Sequence, residues 1–395
     1  MRSRALLISP ILLATVAGAQ PTTAPIFRLE REVFVDAASN DLSPILWLAV
    51  ANDGTIAISQ EQDFHVKFFS PRGVPSRTFG RKGKGPGEFG AMRLHGWLGD
   101  TLWVGDMEAL RFTLISPQGR LVRSVMWPPG VRFPETTPRP LPSFIFAVPW
   151  AVYRDGAVLV FAYPSGEVVP DWMRRPSGTL APLLGVSGDG TYRRTVTRVY
   201  PSDPACQIST RAGSASKPLC FRPFWAVSRQ GGVVFTANIE RSDAQNDYMR
   251  AIAVNADGGT LFAKLLTVPR QRVSRAVADS IQSLISKSSR TPGASIELPD
   301  FFPPFEQAIV AVDEKTIWLE SGVTTGDRVW SIIDLAGRTV GTVRVPRNTQ
   351  LRVVSMERVW ATERDADGLE SIAVYQVIRL ALGAASGNGH TAKQE

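Results

Sequence analysis

A repeated pair of short strands constrains this chain more than any other feature. An apolar strand, a polar turn and a second apolar strand follow one another as "LWLAVANDGTIAIS" from Leu46, "LHGWLGDTLWVGD" from Leu94 and "WAVYRDGAVLVFA" from Trp150. The theme returns as "WAVSRQGGVVFTA" from Trp225, "AIVAVDEKTIWLES" from Ala308 and "LRVVSMERVWATE" from Leu351, which makes six copies. Short apolar or alternating runs between Gly, Pro, Asn and Asp predict strands. Asn52-Asp53-Gly54, Arg154-Asp155-Gly156 and Gln230-Gly231-Gly232 suit hairpin turns, because glycine accepts a positive φ.

A second Gly-bearing hairpin follows the first. It reads "HVKFFSPRGVPSRTF", "RFTLISPQGRLVRSV", "LLGVSGDGTYRRTV", "AIAVNADGGTLFAKL" and "WSIIDLAGRTVGTV", five copies in all. The sixth is short by one strand: "SIAVYQVIRL" is followed by "GAASGNGHTAKQE". One strand is spare at the other end, "IFRLEREVFV" from Ile26 to Val35. Six units of four strands, the last completed by the first strand of the mature chain, predict an all-β, six-bladed β-propeller. Closing the ring removes sheet edges that would otherwise aggregate. The blades are expected over roughly 44–80, 92–126, 144–199, 221–268, 305–345 and 351–380 plus 26–35, in a single domain over 20–383 with a disordered tail over 384–395.

Insertions interrupt the rhythm. "PPGVRFPETTPRPLPS" is too rich in proline for regular structure. In "RVSRAVADSIQSLISKSS", Val273, Val277, Ile281, Leu284 and Ile285 recur every three or four residues, which predicts one short amphipathic helix packed on the blades as a lid.

The N-terminus places the chain outside the cytoplasm. Arg2 and Arg4 precede a short apolar run, Ala5 to Val16, and a small-residue site at Ala17-Gly18-Ala19. This is the pattern of a signal peptide over 1–19, cleaved near Ala19, and it predicts a secreted or periplasmic protein. The run is too short to span a bilayer, and no later stretch qualifies. Export also accounts for Cys206 and Cys220, read as a disulfide closing the loop "CQISTRAGSASKPLC". A cysteine metal pair lacks further ligands, since the chain has three histidines, His65, His95 and His390. The net charge of +8 falls by two on cleavage, a modest basic excess that requires no acidic partner.

"FGRKGKGPGEF", Phe79 to Phe89, has the glycines of a phosphate cradle, but it lacks Gly-Lys-Ser/Thr and opens no helix. It stands between an outer strand and the next inner one, so it reads as an inter-blade joint. From Phe64 to Val125 the chain resembles the NHL-type repeat. It is similar still more to the bacterial exported six-bladed β-propellers, in which such a loop is followed by strands ending in a Val-x-Asp step. Gly80, Gly83, Gly85, Pro86, Gly87, Glu88 and Phe89 match the loop, and Trp103-Val104-Gly105-Asp106 the step. The other blades keep only the strand rhythm. The resemblance implies a fold, an exported setting and binding of proteins, glycans or small molecules on a disc face. A few related propellers are lactonases, amidating lyases or synthases.

Signals for chemistry are few. A histidine-ligated centre needs a cluster on the channel, but His390 lies in the Gly/Ser tail and His65 and His95 read as lone histidines. No G-x-S-x-G elbow is present. Asp53, Asp106, Asp155, Asn238 and Asp313 fall near inner strands or their turns, where Asx side chains commonly bond to the backbone. "ERDADGLE" reads as a hairpin turn, since it lacks a ligand position of a calcium loop. Nucleic-acid binding would need a basic face interleaved with aromatics. Trp47, Trp103, Trp150, Trp225, Trp318 and Trp360 are expected in blade-to-blade packing. The residues left for a ligand are Arg81, Lys82 and Lys84 on the joint, with Trp97, Trp127 and Trp172 at strand ends or in loops.

The expectation is a monomeric, non-catalytic binding or scaffolding module without cofactor or resident metal. Its ligand is a protein, glycan or small molecule held on the face that carries the inter-blade loops. The competing expectation is a cation-dependent hydrolase or lactonase, with Ca2+ held by carboxylates in the central channel.

Overall fold

The computed structural model describes residues 25–127, 130–134, 144–153, 155–164, 174–175, 178–200, 206–210, 213–287, 296–322 and 326–380. The expected signal peptide, the C-terminal tail, Trp172 and His390 lie outside these residues.

The chain begins with β1 (Ile26–Val35) and then builds an antiparallel sheet in sequence order from β2 (Trp47–Val50), β3 (Ile56–Gln60), β4 (His65–Phe69) and β5 (Pro75–Phe79). The next sheet repeats the plan with β6 (Met92–Leu98), β7 (Thr101–Asp106), β8 (Arg111–Ile115) and β9 (Leu121–Met126). The third starts with β10 (Phe144–Val152) and β11 (Val158–Pro164). It passes a two-strand ladder, β12 (Arg174–Arg175) and β13 (Gly178–Thr179), and ends with β14 (Ala181–Val186) and β15 (Tyr192–Val199). A second ladder, β16 (Gln207–Thr210) and β17 (Gly213–Ser216), leads to the fourth sheet, β18 (Phe224–Val227), β19 (Val233–Ser242), β20 (Asn246–Asn255) and β21 (Thr260–Pro269).

The helix α1 (Arg275–Lys287) precedes β22 (Phe305–Val310), β23 (Thr316–Ser321), β24 (Arg328–Asp334), β25 (Thr339–Val345), β26 (Thr349–Val354), β27 (Arg358–Arg364) and β28 (Glu370–Arg379). These seven strands and β1 form one eight-stranded sheet, in the order β22-β23-β24-β25-β1-β28-β27-β26. Six separate four-stranded sheets were expected, and four are found beside this larger one. The reason lies in β1. It runs antiparallel to β28, and at its start Ile26 and Phe27 also pair in parallel with Thr342 and Val343 of β25. One strand therefore both completes the last meander and ties it to the meander before.

The arrangement is a β-propeller, a ring of sheets around a channel. The first strand of each meander neighbours the next: β2 lies against β6 and β26, β6 against β10, and β22 against β18 and β26. Trp150 on β10 meets Trp225 on β18, with ring centroids 4.5 Å apart. Six hydrophobic clusters fill the seams, each drawing side chains from two adjacent meanders. Trp318, Trp330 and Val343 pack there with Leu351 and Ala373, and Phe235 and Met249 with Ile317. Removing such side chains from water stabilises the fold by about 1.5–3 kcal/mol each. Of the inner-hairpin tryptophans, Trp103, Trp318 and Trp360 are buried as expected, while Trp47, Trp150 and Trp225 are half-buried beside the channel.

The turns follow the predicted chemistry. Gly54, Gly156 and Gly231 have φ of 84°, 78° and 76°. Asp53, Asp155 and Asp313 each accept a backbone N–H two residues on. In "ERDADGLE", Asp365 accepts from Asp367 and Leu369 between β27 and β28, so a hairpin turn it is.

Two insertions differ in outcome. The Cys206–Cys220 disulfide is present, with Cα atoms 5.4 Å apart, and it encloses the β16–β17 ladder. Such a loop restricts the unfolded chain, so Cys206→Ser with Cys220→Ser is expected to lower stability by about 3 kcal/mol. Urea unfolding under oxidising conditions checks this, and an unchanged midpoint would show that the bridge carries no load. The helix, by contrast, does not pack down as a lid. None of its residues is buried, and Leu284 is 68% exposed. Val277, Ile281 and Ile285 on its apolar face are half-buried.

Candidate functional site

Because strands alternate in direction, the first-to-second and third-to-fourth strand turns share one face of the ring. The inter-meander loops lie on the other. The expected ligand face is the second, and its basic loop is already occupied internally. Arg81 pairs with Glu88 at 2.8 Å, Lys84 pairs with Glu108 at 3.4 Å, and Lys82 lies 5.1 Å from the Phe64 ring centre. Hydrogen bonds from Gly85 N–H and Arg81 hold the Glu88 carboxyl below its ordinary range. Phe79 and Phe89 meet edge to face at the ends of the loop, 6.2 Å between centroids.

The Val-x-Asp step explains the rest of this joint. Asp106 is fully buried at the end of β7. Its carboxylate accepts from Gly90, Ala91, Glu108 and Ala109 N–H at 2.9–3.1 Å. Arg111, buried on β8, donates to the carbonyls of Lys84, Gly85 and Glu88. The motif residues thus serve architecture.

The expected aromatics Trp97 and Trp127 do not stand exposed on this face. Trp127 is buried 5.7 Å from Phe112 in a seam, and Trp97 is buried against Phe68 at 6.4 Å. Both rings carry too much apolar surface to stay exposed beside these neighbours. The structure does not bring Arg81, Lys82 and Lys84 together with either of them. Trp97 instead lines a cavity at the opposite face.

That cavity, about 510 Å3, is the mouth of the channel on the hairpin-turn side. Turn residues from four meanders contribute, among them Asn52, Arg229, Val312 and Ser355, with Trp97 and Trp360 on its wall. Its rim cations are already matched. Lys315 lies 3.9 Å from Asp313, and Arg358 pairs with Glu32 at 3.1 Å. Asp53 and Glu357 are exposed.

Arg229 is different. It reaches from the β18–β19 turn to Trp47, with its guanidinium 5.7 Å from the ring centre, and Nη1 donates to the His95 carbonyl at 3.4 Å. Among the described residues it forms no ion pair. Burial, followed by the nearby Arg352 charge, pushes its pKa down to about 10. Arg352 is itself committed. It donates to the Ile45 carbonyl at 2.9 Å and to Thr362 Oγ1 at 3.2 Å, and lies 3.8 Å from Glu370. His95 is buried, with Nδ1 2.9 Å from Ser59 Oγ. Burial first, then the Arg229 charge, holds it well below the usual histidine range, so its ring is neutral. The indole N–H of Trp97 has no partner.

A second hollow of about 440 Å3 lies on the inter-meander face beside Cys220. Its Arg270 is 3.5 Å from Asp247 and donates to the Asp243 carbonyl. Among the described residues, no three of His, Cys, Asp or Glu are grouped closely enough to hold a metal ion. Nor is any helix among them long and apolar enough to cross a membrane.

No protein-family model and no curated protein matches the chain. Solved structures do match its strand arrangement. A DUF4221 family member from Bacteroides vulgatus is 11% identical over 91% of this chain and 100% of its own, with a TM-score of 0.48. A gluconolactonase from Xanthomonas campestris is 14% identical, over 92% and 99%, with a TM-score of 0.39. The aldose sugar dehydrogenase of Streptomyces coelicolor, in its PQQ-bound form, is 12% identical, over 91% and 100%, with a TM-score of 0.42. Likenesses this distant concern the arrangement of strands and carry nothing about activity.

No single stretch of sequence marks the mouth. Arg229 and Asn52 occupy turn positions like any other, and Trp97, though a candidate ligand residue in the sequence, was expected on the opposite face. The one usable signal was position: both turns belong to the repeated inner hairpin, whose turns must converge on one end of the channel.

Proposed function

We propose that the mature chain is an exported, six-bladed β-propeller of the NHL-like kind that binds a small ligand at the hairpin-turn mouth of its channel without transforming it. The observation that carries this reading is the cavity itself. It is a concave space of small-molecule size, walled by Trp97 and Trp360 and edged by turns from several meanders. The blade count follows from treating the eight-stranded sheet as two meanders joined through Ile26 and Phe27. The disulfide supports export, because such bridges persist in oxidising compartments.

The test is equilibrium dialysis of the mature protein against a library of small organic molecules, with bound compounds recovered and identified by mass spectrometry. Retained compounds should come back unchanged, at no more than one per chain. Asn52→Trp, which builds an indole into the mouth from an exposed turn, should weaken their retention at least about tenfold, or about 1.4 kcal/mol. Retention unaffected by Asn52→Trp would move the site elsewhere. Conversion of a compound beyond one turnover, with or without added Ca2+, would make the protein an enzyme.

A further inference from the structure

Arg229 is a cation in search of a partner. Taking a guanidinium out of water is costly unless an anion or a full set of acceptors replaces the solvent. Arg229 is half-buried, and its one hydrogen bond among the described residues is the long one to the His95 carbonyl. The nearest charge acting on it is another cation, Arg352. The mouth also carries the carboxylates of Asp53, Asp313 and Glu357, but none of them forms an ion pair with Arg229 among the described residues. The Trp97 indole N–H is buried and unpartnered, and it belongs to the wall of the same cavity. Arg229, which no carboxylate pairs, and the unpartnered Trp97 N–H are donors that an anionic group would satisfy.

The charge count narrows the class. Arg352 is held by Glu370, Thr362 and the Ile45 carbonyl. Lys315 and Arg358 already lie beside Asp313 and Glu32. Arg229 is then the one cation lining the mouth without an ion pair among the described residues, and the exposed rim carboxylates of Asp53 and Glu357 disfavour a phosphate dianion relative to a monoanion. A planar guanidinium fork fits a carboxylate in two parallel hydrogen bonds. The indole walls favour an apolar or aromatic body on that ligand.

We propose that the channel mouth recognises a small organic carboxylate, with Arg229 binding its carboxylate group and Trp97 and Trp360 facing its apolar part. This deepens the ligand-binding reading above and rests on it.

Two measurements on the mature protein test it. The first compares benzoate, phenylacetate and indole-3-acetate with the corresponding neutral amides and with inorganic phosphate, by isothermal titration calorimetry. At least one acid should bind about tenfold more tightly than its amide and than phosphate. Arg229→Gln should lose that preference, and Arg229→Lys should not restore it, because an ammonium lacks the fork. The second is the melting temperature without ligand. Arg229→Met removes an unpaired cation, so it should leave the temperature unchanged or raise it by on the order of 1–2 °C.

A clear fall in that temperature would overturn the proposal, since Arg229 would then be a structural cation. Equal binding of acids and amides, blocked by Asn52→Trp, would also overturn it while leaving a ligand site at the mouth. No binding of any acid would overturn it as well, and retention insensitive to Asn52→Trp would remove the mouth site with it.

Discussion

A chain that starts at Asp36, without β1, loses its cooperative fold. In the intact protein β1 pairs with β28 from Phe27–Arg379 through Val35–Ile372, and it bonds to β25 through Ile26 and Phe27. Phe27 and Val35 sit in two different seams. Removing the strand opens both seams and leaves the edge of β28 unpaired. The loss is expected to be on the order of 5 kcal/mol or more, comparable with the whole stability of an ordinary domain. Calorimetry should show a broadened or absent transition, and light scattering should show aggregation. A point variant reaches the same joint. A Cβ at Gly341 would stand 2.5 Å from the Pro25 carbonyl oxygen and closer still to the Phe27 ring. Backbone cannot yield there, so Gly341→Val should cost about 3 kcal/mol. An unchanged melting curve for either variant would mean that the ring closes some other way.

The second large effect concerns Asp106. Asp106→Ala leaves four N–H groups without their acceptor, Gly90 and Ala91 on the joint and Glu108 and Ala109 on the turn after β7. Bonds to a buried carboxylate are worth more than neutral ones, and orphaned donors add a desolvation cost. The expected loss is about 3–5 kcal/mol. It should appear as faster amide exchange over 80–91 before global unfolding. Asp106→Asn keeps one acceptor and turns a donor toward Gly90, so it should fall between. Arg111→Lys should loosen the same loop, because one ammonium cannot span the carbonyls of Lys84, Gly85 and Glu88. Wild-type exchange protection in Asp106→Asn would show that the negative charge is not what holds the joint.

These two cases mark where the sequence was legible. Ile26–Val35 stood out because it alternates and belongs to no other hairpin, while the last unit lacks a strand. Counting was enough to pair them across the whole chain. The loop motif was legible as a joint, although its cations were not. Arg81 and Lys84 look free in "FGRKGKGPGEF", yet Glu88 and Glu108 neutralise them through a fold of the loop that no residue spacing announces. The amphipathic helix was recognised by period, but period alone does not say whether its face finds a surface to cover.

By itself, the sequence determined the strands, the tight turns, the closing strand and the disulfide. Each depends on local alternation, on glycine at positive φ, or on a count of matching pieces. Tertiary structure alone decided the charge state of the channel. Arg229 and His95 are 134 residues apart, and whether a guanidinium meets a carboxylate, a carbonyl or nothing depends on which turns the ring brings together. The unmatched cation at the mouth is a property of convergence, and convergence is long-range packing.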